Sequence, residues 1–318
     1  MTCEIVDFVT NEYIPISPEK NRPEFDAPGL PLQEWQKRLF LHVFTPGPDG
    51  RFPYRTFVYS APKKSGKTRI GDALCTAWAR TIGGEVYILA NGKDQAKDRA
   101  FSRIKAYIDY QEIHQPSWYA QYVQESQLGY VELKDPYSVV QPVPCNAGTQ
   151  AGGFQTLTYW DEIWNYDREA LYRLFSEMQP IPTVTQSMRL ITTYAGYYEE
   201  SELLWVIYKN VLYPDTENAE GAPTGHRVAG LEDLPVYRSE DGFTLVYWTH
   251  ENVMPWQTDE YLESARHDPA IQLRPSEFLR LHENRWVAGV DSLIDMNQFD
   301  RLAQAGRQRG LAQGNVWA

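Results

Sequence analysis

The sequence predicts an α/β fold, a mainly parallel sheet with helices on its faces. Two observations lead there. Short runs rich in β-formers and apolar along their length recur at 57–59, 85–90, 155–160 and 188–193, and segments with helical spacing of apolar residues separate them. This β-α-β-α order is that of crossover units in a parallel sheet. In addition, three strand ends carry the residues with the most chemistry: Ala61 to Thr68, the pair Asp161-Glu162, and the pair Thr192-Thr193. Ligands of open parallel sheets bind at those carboxyl ends.

Taken in order, residues 1–29 are proline-rich and aperiodic and read as an extended arm. Residues 30–44 read as a helix, with Leu32, Trp35, Leu39 and Val43 on one side, followed by a Pro-Gly-Pro-Asp-Gly turn at 46–50. After the first strand, Ile70, Ala73, Leu74, Ala77 and Trp78 mark one face of a helix. A helix is expected over 94–110 and short strands with turns over 119–143. Helices are expected over 168–177 and 201–212. Residues 214–242, dominated by Pro, Gly, Glu and Asp, read as a long loop or linker. One more strand at 243–248 and helices at 258–268 and 275–284 follow, and 288–318 reads as a polar tail. The expected organisation is an arm (1–29), a core (30–213) and a small C-terminal linker or lid subdomain (214–318).

Composition excludes several classes. Hydrophobic residues make up 42% and charged residues 23% of 318, ordinary for a globular protein. No apolar run approaches the length of a membrane span, and the N-terminus lacks the pattern of a signal peptide. Cys3, Cys75 and Cys145 are scattered and odd in number, which argues against a disulfide framework and for a reducing compartment. The histidines lack metal-ligand spacing. A net charge of −12 counts against a simple DNA-binding module, though not against local contact with DNA. Lys93, Lys97, Arg99, Arg103 and Lys105 form a basic cluster that reads as such a contact or as a solvated helix face.

Ala61 to Thr68 fits the spacing of a phosphate-binding loop, with Ala61 where the first glycine is usual. Such a loop presents backbone N–H groups, including those of Ser65 and Gly66, at the positive end of the following helix. Lys67 would reach the β- and γ-phosphates, and the Thr68 hydroxyl would bind Mg²⁺. Asp161 would hold Mg²⁺ through its water shell, and Glu162 would polarise the attacking water.

Several stretches, in order, resemble the ATPase portion of the large terminase subunit of tailed bacteriophages, over about residues 30 to 290. Leu32-Gln-Glu-Trp-Gln36 is similar to that family's adenine-contacting segment, which implies that Trp35 stacks on the base and Gln36 hydrogen-bonds it. Ala61 to Thr68 resembles its phosphate loop, which often lacks the first glycine. Ile88 to Ala96 resembles the strand and turn after the loop's helix. Trp160-Asp-Glu-Ile163 resembles its acidic strand end, and Leu190 to Gly196 its coupling motif, with Thr192 and Thr193 sensing the γ-phosphate. Phe278 to Trp286 resembles the stretch before the linker to a nuclease.

The resemblance implies a RecA-like P-loop core and Mg²⁺-dependent ATP hydrolysis coupled to movement of double-stranded DNA. It also implies a ring of subunits, portal and small-terminase partners, and the host cytoplasm as location. Lys63 and Lys64 stand where many relatives carry a loop arginine. They would stabilise the transition state less specifically, so a neighbouring subunit is expected to donate an arginine. Asp291, Asp295 and Asp300 read as linker or helix-surface residues, not as a nuclease site, so the nuclease is expected in a missing segment or a separate chain. The competing reading is a helicase-like, nucleic-acid-stimulated ATPase. Too few residues follow 212 for an ordinary second core.

Overall fold

A computed structural model of the protein describes residues 3–17, 19–20, 22–90, 100–143, 154–198, 200–212, 226–267 and 273–289. Its centre is a ten-stranded sheet. Two short pairs stand outside it, β1 (Ile16–Ser17) with β2 (Arg22–Pro23) and β10 (Tyr197–Tyr198) with β14 (Val287–Ala288). The strands of the large sheet are β3 (Thr56–Ser60), β4 (Gly84–Leu89), β5 (Val123–Ser126), β6 (Val131–Lys134), β7 (Tyr137–Pro142), β8 (Gln155–Asp161), β9 (Met188–Thr193), β11 (His226–Arg227), β12 (Val236–Arg238) and β13 (Thr244–Trp248), in the order β11-β12-β13-β3-β9-β8-β4-β7-β6-β5. The six inner strands, β13 to β7, run parallel, and the pairs at both edges run antiparallel. β9 lies between β3 and β8, so the loop after β3 and the acidic end of β8 sit one strand apart at the same edge. This is the mainly parallel sheet that the sequence predicts, in the RecA-like arrangement that the resemblance implies.

The inner strands are apolar on both faces because both faces are covered. Phe57 and Tyr59 of β3 and Leu157 and Tyr159 of β8 enter one core, while Val58 and Trp160 enter the other. The first core is closed by α1 (Glu4–Asn11), α2 (Glu34–Phe44) and α3 (Lys67–Thr81), the second by the helices Glu169–Glu177 and Glu202–Val211. Helix α3 is buried along almost its whole length. Gly71 permits that depth: a Cβ there would lie 2.2 Å from Cζ and Oη of Tyr159.

The structure corrects four expectations. Residues 1–29 are not the extended arm expected: α1 buries Ile5, Val6, Phe8 and Val9, and Tyr13 and Ile16 follow it into the core. The helix expected from residue 30 begins at Glu34, where the Gln36 side chain accepts from Gln33 N at 2.9 Å and closes a capping box. A helix, Pro116–Tyr122, opens the stretch expected to hold only strands. The expected loop 214–242 contains β11 and β12, and β13 pairs with β3 from Thr244↔Thr56 to Trp248↔Ser60. The sheet therefore continues past the expected boundary at 213, which itself lies outside the described residues. Helices Asp259–His267 and Pro275–His282 fall where the sequence places them. Lys93, Lys97, Arg99, Cys145, Asp291, Asp295 and Asp300 lie outside the described residues. Among those described, no helix is long and apolar enough to cross a membrane.

Candidate active site

β3 ends at Ser60 and the chain turns through residues 61–66 into α3, as the switch from strand to helical patterning predicts. Gly66 takes φ 83°, a left-handed conformation that glycine tolerates without strain, and Lys64 takes φ 68°. Lys67 opens the helix and is buried. Its ammonium donates to the carbonyls of Ala61 (2.8 Å) and Pro62 (2.9 Å) and lies 4.9 Å from the ring centre of Tyr194. Burial lowers its pKa to about 8, against the opposing pull of Glu162 and Asp161.

The Thr68 hydroxyl donates to Asp161 Oδ2 at 3.3 Å, across the gap between α3 and β8. Asp161 is buried, and its other oxygen accepts from Thr192 Oγ1 at 2.7 Å. Since Thr192 has one proton, Tyr159 must donate to it at 2.7 Å, giving a chain Tyr159→Thr192→Asp161. Glu162 takes φ 57°, uncommon for a non-glycine residue and characteristic of functional turns. Its backbone N–H donates to Thr192 O at 2.8 Å, and its carboxylate accepts from Trp164 Nε1 at 2.5 Å.

Lys67, Thr68, Glu162 and Tyr194 border a cleft of about 550 Å³, and Asp161 and Thr192 lie buried behind it. Residues 63–70 line it, with Glu24, Phe25, Leu30, Pro31, Leu32 and Gln36 from the chain ahead of and within α2, and Glu162, Tyr194, Met254 and Trp256. Of the basic cluster, Arg103 reaches this cleft, 3.9 Å from Asp72, whereas Lys105 pairs with Asp109.

The cleft thus gathers Lys63, Lys64, Ser65, Gly66, Lys67, Thr68, Glu162 and Gln36. Ala61 lies buried behind the loop, its N–H donating to Thr193 O. Gln36 lines the cleft with its amide already engaged, by Gln33 N and by the Tyr59 hydroxyl at 3.2 Å. Trp35 does not line it. Its indole stacks on Tyr247 (5.1 Å) and Tyr59 (6.5 Å) and borders a separate cavity with His250 and Glu251. Neighbouring helical residues point about 100° apart, and α2 turns Gln36 to the cleft and Trp35 to the other cavity. The threonine pair also divides: Thr192 holds Asp161, while Thr193 Oγ1 donates to Tyr194 O at 3.0 Å.

Sequence reasoning missed what holds the loop from outside. Trp256 Nε1 donates to Lys64 O (2.7 Å), Gln257 Nε2 to Lys63 O (3.0 Å), and Lys63 N to Leu281 O (2.6 Å). Asn284, buried at φ 51°, accepts from Ala195 N (2.6 Å) and donates to Thr249 O (2.9 Å) and Ser60 Oγ (3.0 Å). It joins the ends of β9, β13 and β3. An asparagine in a left-handed turn was the available signal, but its three partners are distant in sequence.

The strand-loop-helix unit from β3 to α3, with the acidic end of β8 beyond β9 at the same edge of a mainly parallel sheet, gives the chain a RecA-like α/β fold. The chain is similar to solved structures of phage large terminases. The HK97 bacteriophage large terminase matches 93% of this chain at 13% identity with a TM-score of 0.51. The chain spans 57% of that protein's length. The ATPase domain of the Thermus phage P74-26 large terminase is also similar, at 14% identity. A point mutant of it matches 81% of this chain and 95% of its own length (TM-score 0.48), and the other form matches 78% and 98% (TM-score 0.46). No family model matches the chain, and no curated protein does. The resemblance to large terminases seen in the sequence is therefore met at the level of fold.

Proposed function

We propose that this chain is the ATPase motor of viral DNA packaging, hydrolysing ATP with Mg²⁺ and coupling the cycle to translocation of double-stranded DNA into a procapsid. The observation that carries the chemistry is that Thr68, which lines the cleft with Lys67 and Glu162, donates to the buried Asp161 directly behind it at 3.3 Å. A hydroxyl and one carboxylate suit Mg²⁺, which takes its remaining ligands from phosphates and water. When bound, Mg²⁺ would neutralise charge on the β- and γ-phosphate oxygens.

In this reading Lys67 leaves the Ala61 and Pro62 carbonyls for phosphate oxygens, which favour the charge that burial disfavours. The loop N–H groups bind the same phosphates. Lys63 and Lys64 add charge at the loop tip. Glu162 orients water towards the γ-phosphate. Thr192, bonded to Asp161, transmits its displacement along β9, with Thr193 and Tyr194 following. The terminase fold supports the packaging role, with a subunit ring, portal, small subunit and nuclease as partners, and the host cytoplasm as the site. A neighbouring subunit would supply an arginine.

The test is Glu162→Gln. Phosphate release from ATP should fall by roughly 10³-fold or more while ADP affinity changes by less than about threefold. Turnover retained in that variant would overturn the assignment.

A further inference from the structure

Arg280 is almost fully buried, on the helix Pro275–His282, and it is costly where it stands. Its Nη2 donates to Glu277 at 3.0 Å, while Nε and Nη1 have no hydrogen-bond partner among the described residues. Three rings surround its guanidinium: Trp164 at 4.3 Å, Tyr197 at 4.5 Å and Tyr194 at 5.2 Å to the centroids. An unbranched apolar side chain would fill this cage without leaving donors unpaired. Beyond the bond to Glu277, what the arginine supplies is a planar cation against the indole.

That indole is the one that grips Glu162. Trp164 Nε1 donates to the Glu162 carboxylate at 2.5 Å, and the ring stacks on Tyr194 at 5.5 Å and 29°. A cation over the indole face withdraws electron density and makes its N–H a stronger donor. Tyr194 in turn lies over the Lys67 ammonium. Arg280, two rings, Glu162 and Lys67 form one connected set.

We propose that Arg280 is a positioning residue for hydrolysis, fixing the Trp164 indole in the orientation from which it holds Glu162. The inference rests on the reading of Glu162 as the group that orients water. It gives the C-terminal helix a direct connection to the hydrolytic step, separate from the Thr192 route.

The experiment is a double-mutant cycle on the full chain, with ATPase rates and ADP affinity measured for Arg280→Met, Trp164→Phe and the pair. Each single variant should lower kcat by roughly 10- to 100-fold and leave ADP affinity within about threefold. The pair should lose no more than the worse single variant. Arg280→Lys, which keeps the charge without the plane, should recover part of the rate. A kcat for Arg280→Met within about twofold of the parent, or losses that multiply in the pair, would overturn the proposal. If the methionine variant does not fold, Arg280→Lys with Trp164→Phe forms the same cycle. Glu162→Gln in parallel separates the two failures: turnover retained there overturns the role of Glu162, whereas additive losses with Glu162→Gln inactive overturn only the role of Arg280.

Discussion

Thr192→Val removes one hydroxyl from the centre of the Tyr159→Thr192→Asp161 chain with almost no change of volume. Thr192 and Tyr159 are fully buried and Asp161 is 2% exposed, so water does not replace the missing group. Two losses combine. Asp161 forfeits a charge-assisted bond of 2.7 Å, and the Tyr159 hydroxyl is left with no acceptor. Tyr159 cannot swing aside, because its hydroxyl packs against Gly71 on α3 so closely that a single added carbon there would overlap it. A bond to a charged group contributes about 1.5–3 kcal/mol, and an orphaned buried donor costs about 1–3. The expected destabilisation is about 3–5 kcal/mol, a large part of the stability of an ordinary domain. Urea denaturation of the nucleotide-free protein measures it. Tyr159→Phe in the valine background should restore about 1–2 kcal/mol by removing the stranded donor. A valine variant within about 0.5 kcal/mol of the parent, or no recovery in the double variant, would show that this chain of bonds does not hold Asp161.

Gly71→Ala should cost about 3 kcal/mol, because neither α3 nor Tyr159 has room to yield; an unchanged Tm would refute the close approach. Asp72 is buried between Arg69, Arg103 and Tyr13, and burial outweighs the arginines to raise its pKa to about 7. The folded state therefore keeps this proton to higher pH than the unfolded chain does. Stability should fall as pH rises from about 4 to about 7, by up to about 1.4 kcal/mol per pH unit. Asp72→Asn should flatten that slope, and an identical slope in both proteins would exclude Asp72 as its source. Trp256→Phe loses the bond to Lys64 O at an exposed position, so ATP affinity should weaken by roughly two- to tenfold with Tm nearly unchanged; equal affinities would mean that the indole does not shape the loop.

How much of this was legible depended on where each constraint lay along the chain. β3, β8 and β9 could be read because strands buried on both faces are apolar throughout and end abruptly in polar residues. Thr68 and Asp161 could be paired because loop and acidic strand end follow from parallel order alone. Helix α1 could not: eight residues are too few for its period to stand out ahead of a proline-rich stretch. Trp35 beside Gln36 gave no hint which of the two faces the cleft, since the sequence does not fix the phase of α2 against the sheet. β11 and β12 are two and three residues long and sit among turn-formers, so composition favoured a loop.

The least legible part is the closure of the loop by residues 249–286. Lys63, Lys64 and Ser60 are bonded by Gln257, Trp256 and Asn284, partners 192 to 224 positions away. No local preference predicts such contacts. Yet they bear on what the cleft can do, because a phosphate loop whose tip carbonyls are bonded to another segment cannot change shape alone. Any rearrangement of Lys63 and Lys64 around a triphosphate must strain or move the bonds to Trp256, Gln257 and Leu281. In the proposed function the free energy of phosphate binding would therefore reach the helix Pro275–His282 and the segment before it by two routes of different origin: through the loop tip, and through Glu162, Trp164 and Arg280. Under that function, a segment coupled at both the loop and the acidic strand end would distinguish a bound triphosphate from a hydrolysed one, which a contact at either place alone would not allow.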